Sequence, residues 1–160
     1  MSETWTKYDV NVRSLGARLL VAPDESESGV AVVEHTLPPR TLGAPLHRHS
    51  HEDEISFVLD GTLGVQEGET VSTVETGGVV VKKRDVWHTF WNAGDGPLRF
   101  LEFIAPGEFA AYFEEVADVV SDGPPDEQTM ARVGEICARY DLEMKPESVP
   151  TLMERHDVDL

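Results

Sequence analysis

The stretch that decides the fold is Gly43–Gly61, GAPLHRHSHEDEISFVLDG. Its first half crowds His47, His49 and His51 beside Glu52, Asp53 and Glu54, three imidazoles and three carboxylates within eight residues. Its second half, Ile55–Leu59, is a β-type run that closes on Asp60-Gly61, a turn pair suited to positive φ and read here as a tight hairpin. Neutral imidazole suits first-row transition metals and carboxylate oxygen suits the harder ions, so a mixed cluster points to Fe, Mn, Ni, Co or Zn. Residues two apart in a strand share a face, so His47 and His49 project together if 46–49 is extended. Glu54 has the opposite parity to His49, and a turn within Ser50–Asp53 must intervene before the three converge. Beyond it, Ser56 and Val58 share the face of Glu54, while Ile55, Phe57 and Leu59 take the other.

Outward from this stretch the chain repeats short β-type runs separated by turn residues. Ala17–Val21 and Val30–Leu37 flank the charged turn Pro23–Gly29 and read as a hairpin, and Pro38-Pro39 stops the second run because proline cannot donate to a ladder. Leu63–Gln66, Val71–Val74, Val79–Lys82, Val86–Trp91 and Leu98–Ile104 continue the pattern between glycine-bearing turns. Such spacing predicts an all-β sandwich or barrel, and the absence of long helical segments between strands disfavours a parallel α/β sheet. After Pro106 the period changes. Glu108–Val119 has Phe109, Tyr112, Phe113 and Val116 at helical spacing, Ser121–Pro125 breaks it, and Asp126–Met144 follows as a second helix capped by Asp126. These helices are too thin to fold alone and are expected on the outside of the barrel. One further turn is expected near Leu152.

Two imidazoles and a carboxylate leave a coordination sphere incomplete. The best remaining imidazole is His88, in the β-rich segment VVVKKRDVWHTFWN. On alternation Phe90 shares its face and can line a pocket, whereas Trp87 and Trp91 face outward. Phe57 is weighed both as pocket and as core. His51 is too close to Glu54 to complete the set and reads as a solvent-facing or supporting group. His35 and His156 read as structural or exposed, Asn92 as the stabiliser of the turn into Gly94, and Lys82-Lys83-Arg84 as a solvated strand end.

These residues carry a resemblance. The sequence resembles the cupin superfamily, whose first motif is G(X)5HXH(X)3,4E(X)6G: here His47-Arg48-His49, four residues, Glu54, six residues, then Gly61. Gly43 lies two residues closer to His47 than the motif's leading glycine. The second motif, G(X)5PXG(X)2H(X)3N, matches at Gly77, His88 and Asn92, with Lys83 and Asp85 in place of its internal proline and glycine. The phrasing resembles small single-domain bacterial cupins of the quercetin 2,3-dioxygenase-like kind. The resemblance implies a cupin double-stranded β-helix, a jelly-roll barrel over about 17–106 with a helical C-terminal extension over about 107–160, in one domain spanning 1–160. It also implies a divalent metal on His47, His49, Glu54 and His88, Glu54 doubling as a base, and a homodimer.

Composition sets limits on partners. The chain has 160 residues, 40% hydrophobic and 27% charged, with a formal net charge of −17 from 13 basic and 30 acidic residues. That balance repels phosphate backbones and anionic lipid, so neither nucleic acid nor membrane is an expected partner. A single cysteine, Cys137, excludes an intrachain disulfide and a cysteine-based zinc site, and its neighbours suggest a buried thiol. The start MSETWTKYDV lacks a basic and then apolar pattern, and a cytoplasmic location is expected. Three functions fit: a metal-dependent oxygenase acting on a small aromatic or phenolic metabolite, an oxygen-independent isomerase, cyclase or lyase, and a small-ligand-binding protein without chemistry.

Overall fold

Alternation carries the architecture. In Leu98–Ala105, LRFLEFIA, the side chains of Leu98, Phe100, Glu102 and Ile104 are buried while those between them are partly or fully exposed, the period-two pattern of a strand with one face on a core. The same pattern buries Glu54, Ser56 and Val58 in the segment after the histidines. The computed structural model describes residues 4–120 and 125–160. Its strands are β1 (Asp9–Val12), β2 (Leu15–Val21), β3 (Ala31–Leu37), β4 (Leu46–His49), β5 (Asp53–Asp60), β6 (Thr62–Glu67), β7 (Thr70–Glu75), β8 (Val79–Lys82), β9 (His88–Asn92), β10 (Leu98–Ala105) and β11 (Leu142–Lys145). They form a six-stranded sheet, β1-β2-β3-β10-β5-β8, and a five-stranded sheet, β11-β4-β9-β6-β7. Every pairing between these strands is antiparallel. Leu15, Val33, Val58 and Phe100 of the first sheet share one apolar core with Leu63, Val65 and Phe90 of the second. This is the expected jelly roll.

Two local expectations are corrected. Asp60-Gly61 does not close a hairpin, because β5 and β6 belong to different sheets; it is the corner at which the chain crosses between them. Gly61 has φ +91° there, and a Cβ would lie 2.7 Å from the Pro97 carbonyl oxygen, so the corner requires glycine. The other correction concerns the C-terminal extension. A 3-10 turn, Gly107–Ala110, leads into α1 (Ala111–Ala117), and α2 (Glu127–Arg139) begins at Asp126, whose side chain accepts a hydrogen bond from the Thr129 amide at 2.7 Å. The expected break at Ser121–Pro125 lies, apart from Pro125, outside the described residues. The helix ends at Arg139 instead of continuing to Met144. Asp141 turns left-handed with φ +49°, and Leu142–Lys145 becomes β11, pairing along the edge of β4. Sheet pairing there outweighs the helical pattern of the sequence. A last helix, α3 (Val149–His156), stands where a single turn was expected.

Nor do the helices merely decorate the outside. Phe109, Tyr112, Phe113 and Val116 are buried in the same core as the strands, stoppering one end of the barrel. α3 does pack externally: Leu152 joins Trp91, Leu42 and Val158 in a separate cluster, and His156 stacks on Trp91 with ring centroids 3.8 Å apart. Trp91 therefore faces outward towards a helix, as alternation required. Among the described residues, no helix is long and apolar enough to cross a membrane.

His35 is one of the buried groups inside this frame. Its Nδ1–H donates to the Gly16 carbonyl at 2.9 Å, and its ring lies against Phe100 and Phe113. Burial lowers its pKa from 6.5 to about 4, despite the help of that carbonyl. The unfolded chain takes up the proton at higher pH than the folded one. The His35 contribution is therefore complete above about pH 6.5 and is lost as pH falls towards 4, a change of order 3 kcal/mol. His35→Gln, which retains a donor but does not titrate, should flatten urea-measured stability across that window.

Candidate metal centre

The site begins on the short strand β4, where Pro45 precedes the extended residues Leu46–His49 and both His47 and His49 turn inward. A bend at Ser50-His51 then resets the parity, so that Glu54 on β5 points into the same space. His88 opens β9 and pairs directly with His47 across the sheet. One ligand atom from each of His47, His49, Glu54 and His88 lies within 4.8 Å of the others, and all four side chains are buried. The two motif halves are thus joined by one backbone register.

Each imidazole is held by its Nδ1. His47 Nδ1–H donates to the Pro45 carbonyl at 2.8 Å, His88 Nδ1–H to the Val86 carbonyl at 3.1 Å, and His49 Nδ1–H to Glu52 Oε1 at 3.0 Å. Fixing Nδ1 presents Nε2 inward as the free donor, the usual support for a metal-binding histidine. The Nε2 atoms of His49 and His88 are buried and have no hydrogen-bond partner. They stand 3.5 Å and 3.4 Å from Glu54 Oε2. Buried polar atoms without partners are costly, and these two converge on one carboxylate oxygen. The donor set fits a divalent transition metal, which would satisfy both nitrogens at once.

The electrostatics agree. Burial opposes ionisation of Glu54, but His49, Lys82 and His88 together hold its carboxyl well below the ordinary carboxylate range. Burial, with His88 and His49 nearby, holds His47 well below 6.5. Burial also works against a charged His49, but Glu54 and Glu52 outweigh it and raise that ring. Glu52 lies outside the four converging side chains, and its contact with Nδ1 orients His49. Glu52→Gln should weaken metal affinity by about 10- to 100-fold, read by competition with a chromogenic chelator.

The turn before His88 is built without the motif's proline and glycine. Asp85 adopts φ +62° at the glycine position, a conformation that aspartate tolerates better than most residues, and its amide donates to the His49 carbonyl at 2.7 Å. Gly43 has a different use from the motif's leading glycine. A Cβ there would fall 2.1 Å from the Phe90 ring, so its absence lets that ring enter the cavity wall. Asn92 does more than bind the Gly94 amide: its Nδ2 also donates to the carbonyls of Leu37, Pro38 and Gly96.

His51 stays outside the cluster, exposed and 2.7 Å from Asp141. Trp87 faces outward between Arg48 and Lys145, and Phe57 lies on the outer face of β5. Lys82 corrects the reading of Lys82-Lys83-Arg84 as a solvated strand end. Lys83 and Arg84 are exposed, but Lys82 is 2% exposed, its Nζ 2.6 Å from Glu102 Oε1 and 3.4 Å from Glu54 Oε2. Burial opposes its charge, yet Glu102 and then Glu54 outweigh that and raise its pKa. Ser56 Oγ donates to Glu102 Oε2 at 2.6 Å, and burial raises the Glu102 carboxyl to about 7 against the pull of Lys82. Glu102 was legible in principle, because it occupies an inward position in the alternation of β10.

The cluster opens onto a cavity of about 440 Å³. Its polar end is formed by His47, His49, Glu54, Lys82 and Glu102, and its remaining walls are largely apolar, with Phe90 from the barrel and Phe109, Tyr112 and Met144 from the extension. Phe109 meets the His49 ring edge-on at 4.5 Å between centroids. Half of this wall was invisible in the sequence, since nothing in the helical spacing said which end of the barrel it would close.

Residues 33–104 match the sequence profile described as Cupin domain. No curated protein matches the chain in sequence. Among solved structures the chain is similar to the cupin domain of Cnp3 from Schizosaccharomyces pombe (18% identity, 61% of this chain and 68% of that one, TM-score 0.54). It is also similar to a predicted oxalate decarboxylase from Thermotoga maritima (21%, 62% and 91%, 0.55). A third similar structure is KdgF from Halomonas sp. (16%, 64% and 86%, 0.53). These likenesses concern the fold. The profile match spans β3 to β10 and contains all four converging side chains, so this part of the barrel matches the cupin domain.

Proposed function

We propose that this protein is a metal-dependent oxygenase in which His47, His49, Glu54 and His88 hold a divalent ion and a small, largely apolar phenolic or aromatic molecule binds beside it. The observation that carries the reading is the continuity of the buried three-histidine, one-glutamate cluster with an apolar cavity of about 440 Å³, a volume within the usual range for small-molecule sites. A redox-active ion there supplies Lewis acidity and an electron path to dioxygen.

The protein's own residues supply the rest. Phe90, Phe109 and Tyr112 offer apolar surface to the body of the substrate and exclude water from the imidazoles. Glu54 keeps one oxygen towards the histidines and accepts the proton of a substrate hydroxyl on its carboxylate. Glu52 and the carbonyls of Pro45 and Val86 hold the rings in the tautomer that leaves Nε2 free.

An oxygen-electrode screen of the iron- and manganese-loaded protein with catechols, flavonols and diketones tests the reading. Substrate-dependent oxygen uptake is expected. Equal turnover under air and under nitrogen would sink it, and would leave Lewis-acid chemistry independent of oxygen as the activity.

A further inference from the structure

We propose that Lys82 is a second anchoring point in the cavity, taking an anionic oxygen of the substrate next to the metal position, so that the ligand class is a compact apolar body with one acidic, oxygen-bearing end. This rests on the reading of the cavity as the substrate site, though not on the use of dioxygen.

Lys82 ends β8 directly opposite Glu54 in the register, and its side chain runs into the cavity wall instead of out to water. An ammonium has three donors. One charge contact is with Glu102 Oε1 at 2.6 Å, an ion pair outside hydrogen-bond geometry. A second faces Glu54 Oε2 at the longer distance of 3.4 Å, and that oxygen is the one on which His49 and His88 converge. A metal on that oxygen would share its charge and loosen its hold on Lys82. The Phe90 ring also lies near, its centroid 5.0 Å from Nζ, a weak partner for a desolvated cation. Lys82 thus keeps capacity for one strong acceptor, on the cavity side and beside the metal position.

Stability alone does not account for this lysine. Replacing a buried ion pair by apolar residues of similar volume is often neutral or stabilising. Here the pair lines the polar end of the cavity, beside His47, His49 and Glu54. Glu52, Glu54 and Glu102 place three buried carboxyl groups around one buried ammonium, so the surround of the site is acidic. Lys82 then supplies the positive end towards which an oxyanion orients, in competition with the Glu102 carboxylate, itself anchored by Ser56.

The test uses the full chain loaded with zinc, which is redox-inert, and titrates it with 2-naphthoate and with its neutral shape analogue 2-acetylnaphthalene. Glu102→Gln preserves volume and the Ser56 contact while freeing Lys82, so naphthoate should bind more tightly. The double variant Lys82→Met/Glu102→Gln removes the cation without stranding a carboxylate. It should lose naphthoate affinity by about thirtyfold while 2-acetylnaphthalene changes by no more than about twofold. Melting temperature and zinc stoichiometry report folding, and Glu102→Gln by itself gives a sign if the double variant folds poorly. Equal losses for both probes, unchanged naphthoate affinity in the double variant, weaker naphthoate binding in a folded Glu102→Gln protein, or no binding of either probe to the unsubstituted protein would each overturn the proposal. Charge discrimination without oxygen uptake in the separate electrode assay would leave it standing and remove the oxygenase reading.

Discussion

His88→Ala should weaken divalent-metal affinity by at least about a hundredfold, a larger loss than removal of a supporting group causes. His88 is the one donor delivered from outside the Gly43–Gly61 stretch, and it lies opposite His47 in the five-stranded sheet. The same substitution also carries a packing cost in metal-free protein, because the buried ring and its bond to the Val86 carbonyl are lost. Its Nε2 is buried without a partner, so alanine removes an unsatisfied atom as well as ring contacts. The two effects separate in one experiment, thermal unfolding with and without added metal after exhaustive dialysis against chelator. For the unsubstituted protein a hundredfold excess of metal over its Kd should contribute about 2.7 kcal/mol, and most of that increment should vanish in the variant. An unchanged metal-dependent shift in His88→Ala would exclude His88 from the coordination set.

The other large effect concerns the buried pair. Lys82→Met alone should destabilise the fold by up to about 3–5 kcal/mol, because it removes the cation that offsets burial of Glu102, whose carboxyl must then take up a proton or stay dehydrated with only Ser56 as partner. Adding Glu102→Gln should recover most of that loss, since no uncompensated charge then remains. Urea denaturation of both variants at neutral pH measures the difference. Recovery is the informative outcome: additive losses would mean that Lys82 and Glu102 act independently despite their 2.6 Å contact. The comparison also separates what this lysine does for the fold from what it offers a ligand, because the double variant is the form in which binding is to be tested.

Much of the site could be read from local pattern. The HXH spacing on an extended segment, the parity change before Glu54 and the His88 match at motif distance are features of a few neighbouring residues, and the structure joins all four side chains. Glu102 lay in plain view as a charged residue on the inward phase of β10. Lys82 did not, because its neighbours Lys83 and Arg84 are exposed and a run of cations resembles a solvated strand end. Only the β5–β8 register, which sets Lys82 across from Glu54, supplies the carboxylates that make burial of its ammonium tolerable.

The C-terminal fifty-odd residues show the same division. Their helical spacing announced α1 and α2, but spacing defines a face without naming what that face will touch. Tertiary contact decided that Phe109, Tyr112 and Phe113 stopper the barrel, and that Leu142–Lys145 leaves the helix to pair with β4. The sequence by itself determined the strand alternation, most turn positions and the four side chains that converge, because these depend on backbone periodicity and side-chain chemistry within short reach. The tertiary structure alone decided which sheet each strand joined, that Asp60-Gly61 became a corner, and how the cavity is walled. Those outcomes depend on contacts between residues up to about a hundred positions apart, such as Leu46 with Ser148 and Arg48 with Glu143, which no local pattern encodes.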